Sequence, residues 1–355
     1  MPEALLTLME SEDHPLLSTN MREVNSMRRH ALDFEKPIAE VEANIAALKK
    51  FTEEHGVDRS EDIREMEQLV ELMTREIFSN LSAWDKVQMA RHELRPYTLD
   101  YVRLIFDDFT ELHGDRRFGD DPAMVGGMAT LDGEPVMVVG HQKGRDAKER
   151  AFRNFGSAKP EGYRKALRLA KLAEKFGHPL ICFVDTPAAD CSVEAEERGI
   201  SEAIAFNMRE FALLKVPSVS IVIGEGGSGG AVGLATTNRV AMLEHSIYSI
   251  IPPEGCAAIL WRDADRAPQA ADALKLTAEH ALRFGVVDEV IEEPLGGAHR
   301  NYDETAQRVK ASILRHLNDL KGLSTQELLD ARYERFRRLG EWYEGGQRAI
   351  AAAGG

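Results

Sequence analysis

The stretch 218–233 constrains the fold most strongly, because an apolar strand pattern runs directly into a cluster of glycines. Val219–Ile223 is apolar and rich in β-branched residues, which is typical of a strand buried on both faces. Five glycines follow between Gly224 and Gly230, and small residues come after them. The stretch therefore predicts a buried strand, a tight turn and a short, closely packed helix.

A glycine turn at the start of a helix is suited to hold negative charge. The first N–H groups of a helix have no internal acceptors and lie at the positive end of the helix dipole. Glycine also lets another group come close to the backbone, since it has no side chain. The anion can be a phosphate or an oxyanion that exists only during a reaction, and the pattern alone leaves this choice open.

Two nucleotide-binding motifs can be compared with this turn. A P-loop requires a lysine after the glycines, and none follows here. The dinucleotide fingerprint is met by Gly224, Gly226 and Gly229, with Glu244 twenty residues on as a ribose-binding acid. An NAD-linked oxidoreductase of this kind requires a long helix after the turn, whereas 230–237 leaves room for about two turns. An ordinary turn without chemistry also stays open.

Composition narrows the class of protein. The chain has 355 residues, 43% of them hydrophobic, and its formal net charge of −15 disfavours a nucleic-acid or anionic-membrane binder. We find no apolar run of about eighteen residues and no signal-peptide pattern, so we expect a cytoplasmic protein. Three widely spaced cysteines, Cys182, Cys191 and Cys256, predict neither a disulfide framework nor a metal site in this chain.

The chain divides into four predicted segments. Residues 1–33 form an irregular lead-in, 34–95 an N-terminal helical hairpin and connector, 96–322 the main domain, and 323–355 a C-terminal helix and tail. The hairpin follows from apolar residues spaced three and four apart on both sides of 55–58. Each of its helices has a narrow apolar stripe, so the hairpin must pack on the main domain or on another subunit.

The main domain combines short apolar strands with amphipathic helices. Two strands meet at Asp132-Gly133, a strong hairpin signal, and Pro160 and Gly177 mark the start and stop of a helix. The order β, β, α recurs, which suggests stacked ββα turns that form a spiral. The predicted helices are 99–112, 160–176, 197–214 and 324–343, and the predicted strands are 124–131, 135–140, 179–184, 217–223, 239–243, 247–251 and 286–291.

Two further stretches are candidates for chemistry. Asp185-Thr186-Pro187 follows a predicted strand at the end of the fold where ligands gather, although an ordinary turn explains these residue types equally well. A basic stretch either covers the surface or draws in an anionic substrate. Its members are His141, Lys143, Arg145, Lys148, Arg150, Arg153, Lys159, Arg164, Lys165 and Arg168.

Seven motifs in order link the chain to a known family. They are Trp84–Arg91, His113–Arg116, Gly140–Arg145, Pro160–Arg168, Gly224–Ala231, Pro253–Ala257 and Glu293–Arg300. From about Phe34 to Phe336 the chain resembles the alpha subunit of the bacterial acetyl-CoA carboxylase carboxyltransferase. The resemblance covers about five-sixths of the chain and is far more specific than three spaced glycines.

This resemblance implies an α/β fold, a crotonase/ClpP-like ββα superhelix with an N-terminal helical hairpin. It also implies an enzyme that is active only with a beta subunit, in an α2β2 assembly. The family enzyme moves a carboxyl group from carboxybiotin, on the biotin carboxyl carrier protein, to acetyl-CoA, giving malonyl-CoA for fatty acid biosynthesis. The zinc ribbon of the family belongs to the beta subunit, which agrees with the few cysteines here.

The resemblance also implies roles for particular residues. The backbone N–H groups of Gly229 and Gly230 are expected to hold the biotin oxygen as it becomes negative, while the beta subunit holds the enolate of the thioester. The remaining residues expected to bind biotin or substrate are Gly226, Gly227, Ala231, Asp185, Thr186, Pro187, Ala188, Ala189, Lys143, Arg145 and Arg198.

One loop departs from the family pattern. Where the family has Asp-Thr-Pro-Gly-Ala-Tyr-Pro-Gly-Val-Gly, this chain has glycine replaced by Ala188, Ser192 and Glu194, and the aromatic residue replaced by Asp190. If those glycines have positive φ, each replacement strains or reshapes the loop. The added carboxylates should repel carboxybiotin unless Arg198 or Lys143 neutralises them. The departure raises a second hypothesis, a divergent paralog that accepts another acyl-CoA or is mainly structural.

Overall fold

The computed structural model describes residues 30–340, and the backbone of 342–344 and 347–349. The helices are α1 (Lys36–His55), α2 (Ser60–Ser79), α3 (Ala83–Ala90), α4 (Thr98–Ile105), α5 (Ala147–Phe152), α6 (Pro160–Phe176), α7 (Val193–Glu197), α8 (Ile200–Ala212), α9 (Ser228–Ala235), α10 (Pro253–Trp261), α11 (Ala267–Leu274), α12 (Ala278–Arg283), α13 (Tyr302–Lys321) and α14 (Thr325–Arg337). The strands are β1 (Asp107–Glu111), β2 (Met124–Leu131), β3 (Glu134–His141), β4 (Leu180–Thr186), β5 (Ser218–Gly227), β6 (Arg239–Leu243), β7 (Ile247–Ser249), β8 (Glu289–Ile291), β9 (Trp342–Glu344) and β10 (Gln347–Ala349).

One mixed sheet organises the described chain. Its strand order is β1-β2-β3-β4-β5-β6-β8, and β7 pairs with the last residues of β5. The pairs β1–β2 and β2–β3 are antiparallel, and the strands from β3 to β8 are parallel. Because β3, β4 and β5 are parallel neighbours, the loops that follow them leave from the same edge of the sheet.

Helices cover both faces of this sheet. In β4, Cys182 and Val184 face a core layer formed with α6, α8 and α9, while Ile181 and Phe183 face a second layer formed with α4, α13 and α14. Every residue of β4 and β5 is buried. This arrangement explains why Leu180–Val184 and Ile221–Ile223 are continuously apolar instead of alternating.

The two N-terminal helices pack against each other. Gly56 ends α1 with a φ of +67°, and α2 begins four residues later. An ion pair of 2.7 Å between Lys49 and Glu67 bridges them, and Arg300 Nη1 reaches Glu42 at 2.6 Å. The last contact ties α1 to the main domain of the same chain.

Several predicted elements have their expected bounds. The helix α6 covers 160–176, with Pro160 in its first turn and Gly177 in the left-handed conformation at its end. The strands β2 and β3 form the predicted hairpin, in which Asp132 and Gly133 both have positive φ. The crossover from strand to helix at the glycines is also present, although β5 extends through them to Gly227.

Three helix predictions were wrong in extent. The helix predicted at 99–112 ends at Ile105, because Phe106 turns into an extended conformation and the chain then pairs with β2 as β1. The helix predicted at 197–214 begins at Ile200, since Gly199 has a φ of +78° and separates α8 from α7. The helix predicted at 324–343 ends at Arg337.

Two of the predicted segments lie partly outside the residues that the structure describes. Residues 1–29 of the predicted lead-in and 350–355 of the predicted tail belong there. At the end of the lead-in, Asp33–Glu35 forms a short 3₁₀ turn that leads into α1. Within the described chain, every helix is too short or too polar to cross a bilayer.

Candidate active site

The site is built around the junction of β5 and α9. The chain turns at Ser228, which has a φ of +49°, an unfavourable conformation for a residue with a side chain. The N–H groups of Gly229 and Gly230 then fall in the first turn of α9, where a helix has no acceptors for them. Gly227 at the N-cap has no side chain to accept from them. Within residues 30–340, neither amide donates to a side chain or to a loop carbonyl.

Close packing accounts for two of the glycines at this junction. A Cβ on Gly227 would collide with the carbonyl oxygen of Pro187, and one on Gly230 would lie 2.8 Å from the nitrogen of Ala189. A Cβ on Gly229 would meet only the side chain of Ile204, at an ordinary 3.7 Å. Packing among the described residues therefore does not require glycine at 229.

Gly229 borders a cavity of about 540 Å³. Its walls are mostly apolar, and Gly229 itself is half-buried. A cavity of this size and character is typical of a small-molecule site. The residues that line it are Met208, Ser228, Gly229, Val232, Ala235, Val240, Tyr248, Ser249, Ile250, Val286, Arg335, Phe336 and Leu339.

A buried ion network lies beneath the glycine turn. Lys143 Nζ is 2.7 Å from Asp185 Oδ1 and 2.9 Å from Glu225 Oε1. Arg91 Nε reaches the other carboxylate oxygen of Glu225 at 2.8 Å and also pairs with Glu254. Burial alone would raise the pKa of Glu225, but the charges of Lys143 and Arg91 hold it below its usual value.

The network connects the ends of three strands. Lys143 follows β3, Asp185 lies in β4, and Glu225 lies in β5. Asp185 Oδ1 also accepts a hydrogen bond from the backbone N–H of Glu225 at 2.9 Å. A Cβ on Gly224 would lie 2.5 Å from the same oxygen, so this glycine makes room for the carboxylate. Two of the predicted site residues, Lys143 and Asp185, are thus brought together below the turn.

The loop after β4 packs directly on the start of α9. Thr186 Oγ1 donates to the carbonyl of Ala188 at 2.7 Å, and Gly230 lies against the backbone of Ala188 and Ala189. Gly226 pairs with Tyr248 of β7, and Ala231 is buried in the core. These predicted residues therefore surround the turn.

Two predicted site arginines have partners elsewhere. Arg145 pairs with Asp100, lies 4.0 Å above the ring of Tyr97 and donates to the carbonyl of Arg95, so it fastens the connector before α4. Arg198 pairs with Glu161 at 2.7 Å. The structure does not direct either side chain at Gly229.

The departing loop is not strained in the way that its sequence suggested. Ala188, Ser192 and Glu194 all have φ outside the left-handed region. Ser192 instead caps α7 by accepting from the N–H of Ala195, and Asp190 accepts from the N–H of Ser192. Lys143 and Arg198 were the two residues that could neutralise the added carboxylates, but within residues 30–340 their ion pairs are with Asp185, Glu225 and Glu161 instead.

Sequence reasoning missed the roles of Arg91, Glu225 and Glu254. One signal for this network was available in the sequence, namely a charged residue, Glu225, between glycines at the end of a buried strand. A buried carboxylate needs a cationic partner, so the pattern could have predicted one. The dinucleotide-binding alternative requires a long helix after the glycines. The structure does not meet this requirement, since that helix ends at Ala235 after eight residues.

A second cluster has the residue types of a metal site. Glu35, His92 and His299 lie together, and His299 Nε2 is 3.1 Å from Glu35 Oε1. The two imidazole rings stack with centroids 3.9 Å apart and an interplanar angle of 26°. Rings so nearly parallel do not direct their nitrogens at one point, so the geometry favours a hydrogen-bonded link between the 3₁₀ turn and the main domain.

Solved structures share the fold. A Pseudomonas malonate decarboxylase hetero-tetramer in complex with coenzyme A contains a chain that matches with a TM-score of 0.51 and 20% identity, over 62% of this chain and 91% of that one. The beta subunit of P. aeruginosa geranyl-CoA carboxylase matches with a TM-score of 0.50 and 15% identity, over 70% of this chain and 46% of that one. The chain thus has the crotonase-like fold that the resemblance implied.

Sequence relatives are much closer. The acetyl-coenzyme A carboxylase carboxyl transferase subunit alpha of Geobacter metallireducens is 54% identical over 316 residues, which cover 89% of this chain and 99% of that protein. The protein of the same name from Pseudomonas paraeruginosa is 51% identical over 314 residues, covering 88% and 99%. A family model described as acetyl co-enzyme A carboxylase carboxyltransferase-like matches residues 31–340. The chain belongs to this family.

Proposed function

We propose that the chain is the alpha subunit of a biotin-dependent acetyl-CoA carboxylase carboxyltransferase. It acts with a beta subunit to transfer the carboxyl group of carboxybiotin, presented on the biotin carboxyl carrier protein, to acetyl-CoA. The product is malonyl-CoA, the substrate of fatty acid biosynthesis. The observation that carries the proposal is the identity of 54% with a named alpha subunit along 99% of its length, with the open glycine turn at the expected place.

The glycine turn supplies the chemistry that this chain contributes. Carboxybiotin provides the carboxyl group, and the ureido oxygen becomes more negative when that group leaves. The amides of Gly229 and Gly230 lie where they can donate to such an oxygen, at the positive end of α9. One such donor is worth about 2.7–4 kcal/mol of activation free energy in measured cases.

The cavity beside Gly229 fits the group that these amides would hold. Its apolar walls suit a fused ring with a short aliphatic chain, and the cradle at Gly230 has no room for a side chain. Thr186, at the end of β4, and the loop residues Pro187 to Ala189 form one side of this cradle. The role of Lys143 is then to hold Asp185 and Glu225 in place and to balance their charge.

Exposed apolar residues near the turn support a partner subunit. Ile250 lines the cavity with 79% of its surface exposed, and Ile259 and Leu260 of the neighbouring α10 are 71% and 64% exposed. Soluble monomers rarely leave such residues grouped at a functional cleft. We therefore place the beta subunit, which completes the site for the acyl-CoA, against this face.

The proposal is tested by co-expression with candidate beta subunits. A complex that purifies should form malonyl-CoA from acetyl-CoA and carboxylated carrier protein, and neither subunit should do so alone. Parallel assays with propionyl-CoA determine the acyl acceptor. Failure of every stable alpha/beta complex to form a carboxylated product from either acyl-CoA would refute the proposal, and NAD binding by the isolated chain would favour an oxidoreductase.

A further inference from the structure

Few polar side chains reach the cavity beside Gly229. Among the described residues that line it, the polar ones are Ser228, Tyr248, Ser249 and Arg335. Two of them have partners within the protein, since Ser249 Oγ donates to the carbonyl of Ile251 at 2.8 Å and Arg335 Nε donates to Asp288 at 2.8 Å. Within residues 30–340, no hydrogen bond uses the hydroxyl of Tyr248 or that of Ser228.

Tyr248 is held in position next to the glycine turn. Its strand β7 pairs with the end of β5, with Tyr248 opposite Gly226, and its backbone N–H donates to the carbonyl of Leu276 at 2.9 Å. A Cβ on Gly226 would lie 2.8 Å from Tyr248 Cδ2, so the ring fills the space that a side chain would take there. Gly226 comes three residues before Gly229. The ring therefore lies against the same strand that leads to the open amides.

The hydroxyl of Tyr248 lies in a sheltered part of the cavity. Burial raises the pKa of Tyr248 to about 12, while the charge of Arg335 acts in the opposite direction. The hydroxyl is therefore neutral at physiological pH and is able to donate and to accept. It is not one of the fully enclosed atoms that lack a partner, so it faces the open volume of the cavity. A sheltered tyrosine hydroxyl usually has a partner, which makes this one a candidate contact for a bound molecule.

The open amides and this hydroxyl together match the polar groups of a cyclic urea. The N–H groups of Gly229 and Gly230 only donate, so they suit the oxygen of the urea and not its ring N–H. In an apolar cavity, a ring N–H without an acceptor costs free energy. The side chain of Ser228 is short and starts from the turn itself. Tyr248 reaches the cavity from a different strand, so it can contact another edge of a molecule held at the amides.

We propose that the hydroxyl of Tyr248 accepts a hydrogen bond from the ring N–H of the biotin head group, while the amides of Gly229 and Gly230 hold its oxygen. The inference rests on the proposed function, since it assigns a further contact to the biotin of the carrier protein. It also gives a reason for glycine at 226, because a side chain there would displace the ring of Tyr248.

Binding of biocytin, the conjugate of biotin with lysine, tests this contact without turnover. Biocytin is titrated calorimetrically into the wild-type alpha/beta complex and into complexes with Tyr248→Phe, Ser228→Ala and Tyr333→Phe. Tyr248→Phe should weaken binding about three- to tenfold, which is the effect of losing one neutral hydrogen bond. Tyr333→Phe is the matched control and should keep the wild-type affinity, since Tyr333 lies outside the cavity lining and is 63% exposed.

Kinetics and stability separate a substrate contact from a structural role. The ring N–H belongs to the nitrogen that carries no carboxyl group, so its contact is the same before and after transfer. Tyr248→Phe should therefore raise the KM for carboxylated carrier protein by the same factor as the biocytin affinity falls, while kcat and the KM for acetyl-CoA stay within twofold. The free energy of unfolding in urea should not fall, because the variant keeps the ring and loses no hydrogen bond of the described chain.

Several results would overturn the inference. Unchanged biocytin affinity in Tyr248→Phe does so, as does the absence of biocytin binding by the wild-type complex. Loss of affinity in Ser228→Ala alone would assign the contact to that hydroxyl instead. Weaker assembly with the beta subunit at unchanged biocytin affinity would assign Tyr248 to a subunit contact. The proposed function fails separately, since a complex whose biocytin binding depends on Tyr248 but which forms no malonyl-CoA keeps this contact and lacks the proposed reaction.

Discussion

Substitution of Gly229 separates the chemistry of the glycine turn from its role in packing. A Cβ at this position has only the side chain of Ile204 near it, at 3.7 Å, and Gly229 does not have positive φ. Gly229→Ala and Gly229→Val should therefore leave the fold intact. Alanine in the first turn of α9 should even raise the free energy of unfolding by about 0.4–1 kcal/mol, because it restricts the unfolded chain.

The same substitutions should severely reduce carboxyl transfer. The added Cβ has only Ile204 as a neighbour, so we expect the two γ-carbons of valine to obstruct the approach to the amides of Gly229 and Gly230 more than the single methyl of alanine does. Loss of one oxyanion donor raises the activation free energy by about 2.7–4 kcal/mol, which lowers kcat by about 10²–10³-fold. We expect Gly229→Val to reach or exceed that range and Gly229→Ala to fall below it.

Two further glycines provide the controls. Gly322 has open space around its Cβ position, so Gly322→Val should preserve activity. A Cβ on Gly230 would lie 2.8 Å from Ala189 N and 2.9 Å from Ala188 C, both backbone atoms, so Gly230→Ala should lower stability by about 1–3 kcal/mol. Urea unfolding of each alpha subunit and malonyl-CoA formation by each alpha/beta complex give the two measurements. A folded Gly229→Val complex with kcat within threefold of wild type would refute the assignment of these amides.

Substitutions at three other positions test the surroundings of the site. Lys143→Met should lower the free energy of unfolding in urea by about 3–5 kcal/mol, because Asp185 and Glu225 then face each other, buried, with one cation fewer. Burial and the charge of Lys143 lower the pKa of His141 to about 3, whereas the unfolded chain takes up this proton near pH 6.5. Stability should therefore fall by about 1.4 kcal/mol per pH unit below 6.5 on account of this group, and His141→Leu should remove that slope in urea titrations from pH 7 to 5. Ser192→Ala should lower stability by about 1 kcal/mol through loss of the α7 cap, and Ser192→Gly by only a few tenths.

Each of these results has a clear opposite. Wild-type stability of Lys143→Met would mean that Asp185 and Glu225 do not need the charge of Lys143 to stay buried and ionised. Identical slopes in wild type and His141→Leu would contradict the cause given. A glycine variant at 192 more stable than wild type would mean that the loop favours positive φ after all.

Local sequence signals determined the central elements of the fold. Pro160 and Gly177 delimit α6 because each residue acts on its own backbone, one by fixing φ and the other by adopting positive φ. Asp132 and Gly133 fix the β2–β3 turn in the same way. The helix predicted at 99–112 was wrong in its second half, because those residues pair with β2 as a strand. This pairing joins residues about twenty apart in the sequence, and helix periodicity carries no information about it.

In the candidate site, too, only the features formed by residues adjacent in sequence could be predicted. The glycine turn could be recognised because all its residues are adjacent in sequence. The partners of Glu225 could not, since Lys143 and Arg91 lie 82 and 134 residues away along the chain. Arg145 was assigned from its motif and Arg198 from its place near the departing loop, and neither signal specifies the direction of a long side chain.

The position of the ion network bears on the proposal that this acidic chain stabilises a developing anion at the glycine turn. Asp185 and Glu225 lie at the ends of β4 and β5, directly before the turn, and two uncompensated carboxylates there would oppose negative charge at the amides. Lys143 and Arg91 offset much of this negative charge through contacts of 2.7–2.9 Å, and Arg91 also pairs with the more exposed Glu254. The local field at the turn is then governed by the unpaired N–H groups of α9 and its dipole, both of which favour an anion. Neutralisation beneath the turn and open amides above it are therefore two parts of one arrangement.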